Sequence, residues 1–161
     1  MHALPEAFEM VTFSPDKLEN IWEKIKDFDS IFVDDRMRAK ENYLAQFMRK
    51  DTIVLENEGG IILITKIDPG LKATFHPVFW DHKLSARLED LKDVLIWMFL
   101  YFDLKRLDTQ IAPYAKAAIR FIEKKMNFKY EGTLRSFVKK DGEGRDLKSY
   151  SILREEVLNG R

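Results

Sequence analysis

Residues 71–102 read LKATFHPVFW DHKLSARLED LKDVLIWMFL YF, and the change of period inside that stretch decides the fold. Residues 71–80 form an extended run, with Pro77 near its end, where a residue without an N–H predicts an irregularity in the ladder. Further on the period turns helical. Leu84, Leu88, Leu91, Leu95, Met98 and Phe102 make one stripe, and after Val94 the other faces turn apolar too. A helix apolar all round in its second half is buried on several sides, so residues 85–103 are expected as a core helix, capped by Ser85. The apolar run at 94–102 falls well short of the roughly 20 residues that a bilayer span needs.

Working outward, residues 107–112 read as a strand and 113–126 as a helix. Residues 128–138 and 147–153 read as a closing hairpin across Asp141-Gly142-Glu143-Gly144. Upstream, residues 52–55 and 61–67 are β-rich and meet at Asn57-Glu58-Gly59-Gly60, where the glycines are expected to supply positive φ. Asp68-Pro69-Gly70 turns the chain into 71–80, completing an antiparallel meander. Ser14 and Pro15 open a first helix carrying Leu18, Ile21, Trp22 and Ile25 at helical spacing. A second is expected over 35–49 with Met37, Leu44, Phe47 and Met48 inward, and a short strand over 8–13. The order β α α β β β α β α β β predicts an α/β (α+β) class: a mixed, mostly antiparallel sheet with helices on both faces.

Composition narrows the function classes. The chain has 161 residues, 27 basic and 27 acidic, no cysteine and three histidines. That length predicts one domain over 1–161. Without cysteine there is no disulfide framework, zinc ribbon or thiol nucleophile. His76, Asp81 and His82 lack ligand spacing, so no metal is expected. Zero net charge, with Lys139, Lys140, Arg145 and Lys148 interleaved with Asp141, Glu143 and Asp146, points away from nucleic acid and membrane. The start, Met-His-Ala-Leu-Pro-Glu, has no basic region followed by an apolar stretch, and a cytoplasmic location is expected.

Residues 118–156 carry a resemblance to the end of GNAT-superfamily N-acetyltransferases, nearest the branch that acetylates the N-terminal amines of ribosomal proteins. Glu131, Gly132 and Arg135 match that branch's glutamate-glycine-x-x-arginine. Asp146, Tyr150, Ser151, Arg154 and Glu156 match its aspartate … tyrosine-serine-x-x-arginine-x-glutamate. The resemblance implies a GNAT-like acyl-CoA N-acyltransferase fold, acetyl-CoA as co-substrate, an amine acceptor, and the option of a homodimer. Two departures accompany it. The family's glycine-rich pyrophosphate loop corresponds to Trp80-Asp81-His82-Lys83-Leu84-Ser85-Ala86-Arg87, which has no glycine, and the family's glycine before phenylalanine is Asn127.

By this resemblance the cofactor lies between Pro77, Val78, Phe79 and Trp80 and the start of the long helix. Lys83, Leu84, Ser85, Ala86 and Arg87 lie at the phosphates, and Ala115, Lys116 and Ala118 on the far wall. A backbone N–H near Val78 or Phe79 would polarise the thioester. His76 is the expected general base, since no Asp or Glu lies between Asp68 and Asp81; it reads equally as a packing histidine. Tyr114 and Tyr150 are the expected proton donors to the leaving thiolate, or amphipathic aromatics at element ends. The family's helix tyrosine is replaced by Phe121 and Ile122. Phe121, Phe128 and Phe137 read as core. The departures also leave open a binding or assembly protein that keeps the fold without the chemistry.

Overall fold

The computed structural model describes residues 3–81, 83 and 87–160. Of the strand expected over 8–13, Glu9 and Met10 form β1 (Glu9–Met10), paired with Glu56 and Leu55. The Ser14 hydroxyl then accepts from the Lys17 N–H at 3.2 Å and Pro15 takes the first turn, so α1 (Pro15–Ile25) starts where the cap chemistry puts it.

The single helix expected over 35–49 is broken. The Asp34 carboxylate accepts from the Arg36 N–H at 2.9 Å and closes a 3-10 turn, Asp35–Arg38. Ala39 is extended (φ −74, ψ 125), and α2 (Lys40–Ala45) restarts after it and tightens again into 3-10 at Gln46–Met48. Tightening from 3.6 towards 3 residues per turn shifts the helical phase. Phe47 therefore stays buried, while Met48, expected inward, is 63% exposed.

β2 (Ile53–Asn57), β3 (Gly60–Asp68) and β4 (Lys72–Phe79) form the meander. Gly60 does not have positive φ, contrary to the reading of this turn. Its role is close approach: a Cβ there would lie 2.4 Å from both the Phe79 ring and the Val78 carbonyl oxygen. Pro77 does not interrupt the ladder to β3, where it sits opposite Ile62; the irregularity falls instead between Thr65 and Asp68.

The core helix α3 (Leu88–Tyr101) starts later and ends earlier than the expected 85–103. It is followed by β5 (Arg106–Ile111) and by α4 (Lys116–Arg120), which runs into a π-helical turn at Phe121–Lys125. β6 (Lys129–Lys140) and β7 (Glu143–Leu153) are longer than expected and meet at Asp141-Gly142. Asn127 (φ 60) enters β6 through the left-handed region, and Gly132 (φ 151) sits at a bulge beside Glu131. A second bulge, with Ser136 at φ 47, turns Phe137 outward to 57% exposure, so it is not core. A short α5 (Arg154–Leu158), which the pattern did not suggest, follows β7.

The seven strands order as β1-β2-β3-β4-β5-β7-β6, with β4 and β5 parallel and every other neighbouring pair antiparallel. α1 and α2 cover one face: Ile21, Ile25, Tyr43 and Phe47 pack on Val54, Ile61 and Leu63. α3 and the α4 region cover the other: Val94, Leu95, Met98 and Ile122 pack on Ile62, Phe75, Leu107 and Ile152. Each fully buried aliphatic or aromatic side chain contributes about 1.5–3 kcal/mol, so both layers are well anchored. Among the described residues no helix is long and apolar enough to cross a membrane.

Candidate functional site

The parallel pair β4–β5 is short, and that builds the site. Its register runs from Lys72↔Arg106 to Thr74↔Asp108 and stops, although β4 continues to Phe79 and β5 to Ile111. Past Thr74 and Asp108 the strands diverge and leave a cleft. Which backbone groups face it follows from the alternation of an antiparallel ladder. The Trp80 N–H donates to the Gly59 carbonyl on the β3 side at 3.0 Å, so even positions of β4 turn towards β3 and odd positions away. The Phe75, Pro77 and Phe79 carbonyls and the Phe79 N–H therefore face the cleft, where Pro77 has no N–H to leave unpaired. Of the two expected oxyanion donors the register favours Phe79, because the Val78 N–H is turned to Ile61.

Two helix starts flank the cleft. At α4, Ala115 is half-buried, and Lys116 and Ala118 are exposed. At α3, Arg87 is the N-cap, with its backbone N–H donating to Asp90 Oδ2 at 3.1 Å. Its guanidinium holds the same carboxylate, Nε to Oδ2 at 3.1 Å and Nη2 to Oδ1 at 3.3 Å. The Arg87 hydrogen bond keeps the Asp90 carboxyl below the ordinary carboxylate range. Glu89 adds a second negative charge to this turn. The helix end expected to meet phosphates thus carries its own carboxylate. Lys83 is exposed, its N–H donating to Asp81 Oδ1 at 2.8 Å. Leu84, Ser85 and Ala86, three of the expected cofactor contacts, lie outside the described residues, as does His82.

His76 lies on the face of β4 that α1 and α2 cover, opposite Leu63. It is half-buried, and burial pushes its pKa down to about 4, with Asp108 pulling the other way. The imidazole is neutral at pH 7 and a weak base. Asp108 is the carboxylate that the sequence reading missed. It sits on β5 at the point of divergence, on the same face, where Thr74 Oγ1 donates to its Oδ1 at 2.8 Å and Arg106 Nε lies 3.6 Å from its Oδ2. Nothing in the β4 sequence points to it, because its neighbourhood is created by pairing across the sheet.

The two tyrosines are on opposite faces. Tyr150, opposite Thr109 on β7, is 1% exposed within the α3 layer, with the Glu123 carboxylate near it. Burial and that carboxylate push its pKa up to about 12. Tyr114, after β5, is exposed and lines a cavity of about 650 Å³ on the α1/α2 face. Ala112, Val33, Val138 and Leu147 make that cavity's apolar wall, with Asp29, Lys140, Asp141, Arg145 and Asp146 among its charged residues. Asp108 and Gln110 alternate onto this face of β5 and Ala112 follows its last residue, so the polar cluster at the divergence and the cavity lie along one stretch of chain, about 13 Å apart at 3.3 Å per residue. Among the described residues no group of three or more histidine or carboxylate side chains is placed to hold a metal ion.

Solved structures with this backbone carry the comparison. An acetyltransferase (GNAT family) from Bacillus anthracis superposes with TM-score 0.72 at 20% identity, over 94% of this chain and 98% of that one. The spermidine/spermine N-acetyltransferase SpeG from Vibrio cholerae superposes with TM-score 0.65 at 16% identity, over 98% and 99%. A point mutant of the same Vibrio enzyme reaches TM-score 0.72 at 15% identity, over 95% and 98%. No protein-family model and no curated protein sequence matches the chain. At these identities the likeness shows the fold, which is that of GNAT acyl-CoA N-acyltransferases, as the tail resemblance implied.

Proposed function

We propose that this GNAT-fold chain is a single-domain N-acetyltransferase that moves acetyl from acetyl-CoA to a primary amine. The observation that carries the reading is the open edge of β4. The Phe75 and Pro77 carbonyls and the Phe79 N–H face a cleft that an extended, amide-bearing chain enters as an added strand. The pantetheine arm of acetyl-CoA is such a chain and fits those donors and acceptors; bound there, the molecule supplies a thioester. The Phe79 N–H is the donor for the oxygen that becomes negative during transfer. Lys83 and Arg87 stand at the phosphate end, and Ala115, Lys116 and Ala118 on the opposite wall.

The acceptor approaches from the α1/α2 face. A peptide α-ammonium has a pKa about four units above that of His76, and an alkylammonium about six, so the buried imidazole alone removes either proton poorly. Asp108 is the anion at the divergence that attracts the ammonium into the cleft; water takes its proton, and neutral His76, further along β4 towards Phe79, is a hydrogen-bond partner for the amine. Tyr150, whose phenol keeps its proton and lies on the α4 side, is the donor to the departing thiolate; Tyr114 belongs to the acceptor side. The match to the ribosomal-protein branch favours a protein N-terminus as acceptor.

The test is thiol release from acetyl-CoA with a panel of amines and peptide N-termini. Amine-dependent release above buffer supports the reading, and none across the panel contradicts it. The Asp90 carboxylate on the start of α3 favours a second reading, a non-catalytic GNAT-fold binding or assembly protein. That reading requires no calorimetric heat with acetyl-CoA at high micromolar concentration.

A further inference from the structure

Lys140 is 8% exposed and closes the β6 end of the cavity beside Tyr114. Its Nζ donates to Asp29 Oδ2 at 3.1 Å and to the Phe32 carbonyl at 3.3 Å, and lies 5.4 Å from the Tyr114 ring centroid. A carboxylate, a carbonyl and an aromatic face are what a buried ammonium requires, so the chain has built a cation site and filled it with its own lysine. Burial alone would lower the Lys140 pKa, but Asp29 and Tyr114 outweigh it and hold it above the ordinary value.

The other carboxylates around the cavity are also engaged. The second oxygen of Asp29 accepts from Arg38 at 2.9 Å, and Arg38 lies 3.6 Å from Asp141. Asp146 accepts from the Ser136 N–H at 2.8 Å. A second cationic nitrogen reaching this cavity would meet Lys140 at close range and find Asp29 and Asp141 already paired to cations.

We propose that Lys140 is a specificity-determining residue that restricts the acceptor to molecules with one cationic nitrogen, such as a peptide N-terminus on an uncharged body, and excludes polyamines. This rests on the acceptor approaching on the α1/α2 face as proposed above, its amine passing Asp108 into the cleft and its body in the cavity. Tyr114 and the apolar wall of Val33, Ala112 and Leu147 then take that uncharged body.

The test compares spermidine with a tetrapeptide amide carrying no charged side chain, by calorimetric Kd and by kcat/KM with acetyl-CoA. Wild type is expected to favour the peptide at least tenfold by both measures. K140M removes the ammonium at similar volume and should shrink the preference at least tenfold, whereas K140R keeps the charge and should keep the preference. Spermidine bound as well as the peptide by wild type, an unchanged ratio in K140M, or no binding of either amine each overturns the proposal. If K140M does not fold, the wild-type ratio and its retention in K140R decide. Peptide-selective binding without acetyl transfer would leave this inference standing and remove the acetyltransferase reading.

Discussion

Replacing Asp90 by Asn should tighten the binding of CoA. In the folded chain Asp90 holds both the backbone N–H and the guanidinium of Arg87, so the positive end of α3 and its nearest cation are committed to an internal carboxylate. Asn keeps an oxygen for the backbone N–H but removes the charge. Arg87, whose side chain is 80% exposed, is then free to meet a phosphate. Opposite unit charges near 4 Å interact by ~1 kcal/mol in water and ~4 kcal/mol at the effective dielectric of a protein surface. Exposure places this site towards the lower value, so a fall of about two- to fivefold in Kd is expected, smaller at high salt. The opposing cost is the favourable interaction of a carboxylate with the helix dipole, about 0.3–1 kcal/mol, which should appear as a small fall in Tm. Calorimetry with CoA at two salt concentrations and a thermal melt measure both effects. Affinity that falls or stays unchanged in D90N, with the melt shifted as expected, would refute the placement of phosphates at this helix end.

Other outcomes follow from the same contacts. Gly60→Ala should destabilise by about 1–3 kcal/mol in denaturant unfolding, because the new Cβ meets the Val78 carbonyl, a backbone atom that cannot swing aside. The His76 imidazole should remain neutral in NMR titration down to about pH 4. Since its folded pKa lies below the unfolded value near 6.5, its linkage to stability is flat above pH 6.5, and stability should fall as pH drops from there towards 4. Asp35 accepts from the Asp141 and Gly142 N–H groups at 2.8 and 3.0 Å, and those bonds hold its carboxyl below the ordinary range. The two amide resonances should therefore respond only at acid pH, below the usual aspartate midpoint, and D35N should abolish that response.

What the sequence made legible was local chemistry. The Ser14–Pro15 helix start and the closing turn at Asp141-Gly142 each depend on residues' own backbone preferences, and each is in the structure. The two-layer core followed from the α3 stripe and the meander. What was not legible depends on partners far along the chain. No local signal marks where the β4–β5 pairing stops, yet that end point makes the cleft. Asp108 meets Thr74 across 34 positions, and Lys140 is buried by a carbonyl 108 positions away. Arg87 was expected at the phosphates, and its pairing with Asp90 was not legible because it depends on where α3 begins. Met48 and Phe137 misled for a related reason: a 3-10 turn and a bulge each rotated an apolar residue out of a regular pattern.

The Phe79 amide is where the proposed cofactor cleft is probed most directly. Hydrogen exchange followed residue by residue, with and without acetyl-CoA, reads the cleft without requiring turnover. Added protection is expected at Phe79, whose N–H faces the cleft, with little change at Val78 and Trp80, whose N–H groups are turned to β3. Acetyl-CoA that leaves Phe79 unprotected, or that protects the β6–β7 hairpin instead, would contradict that cleft.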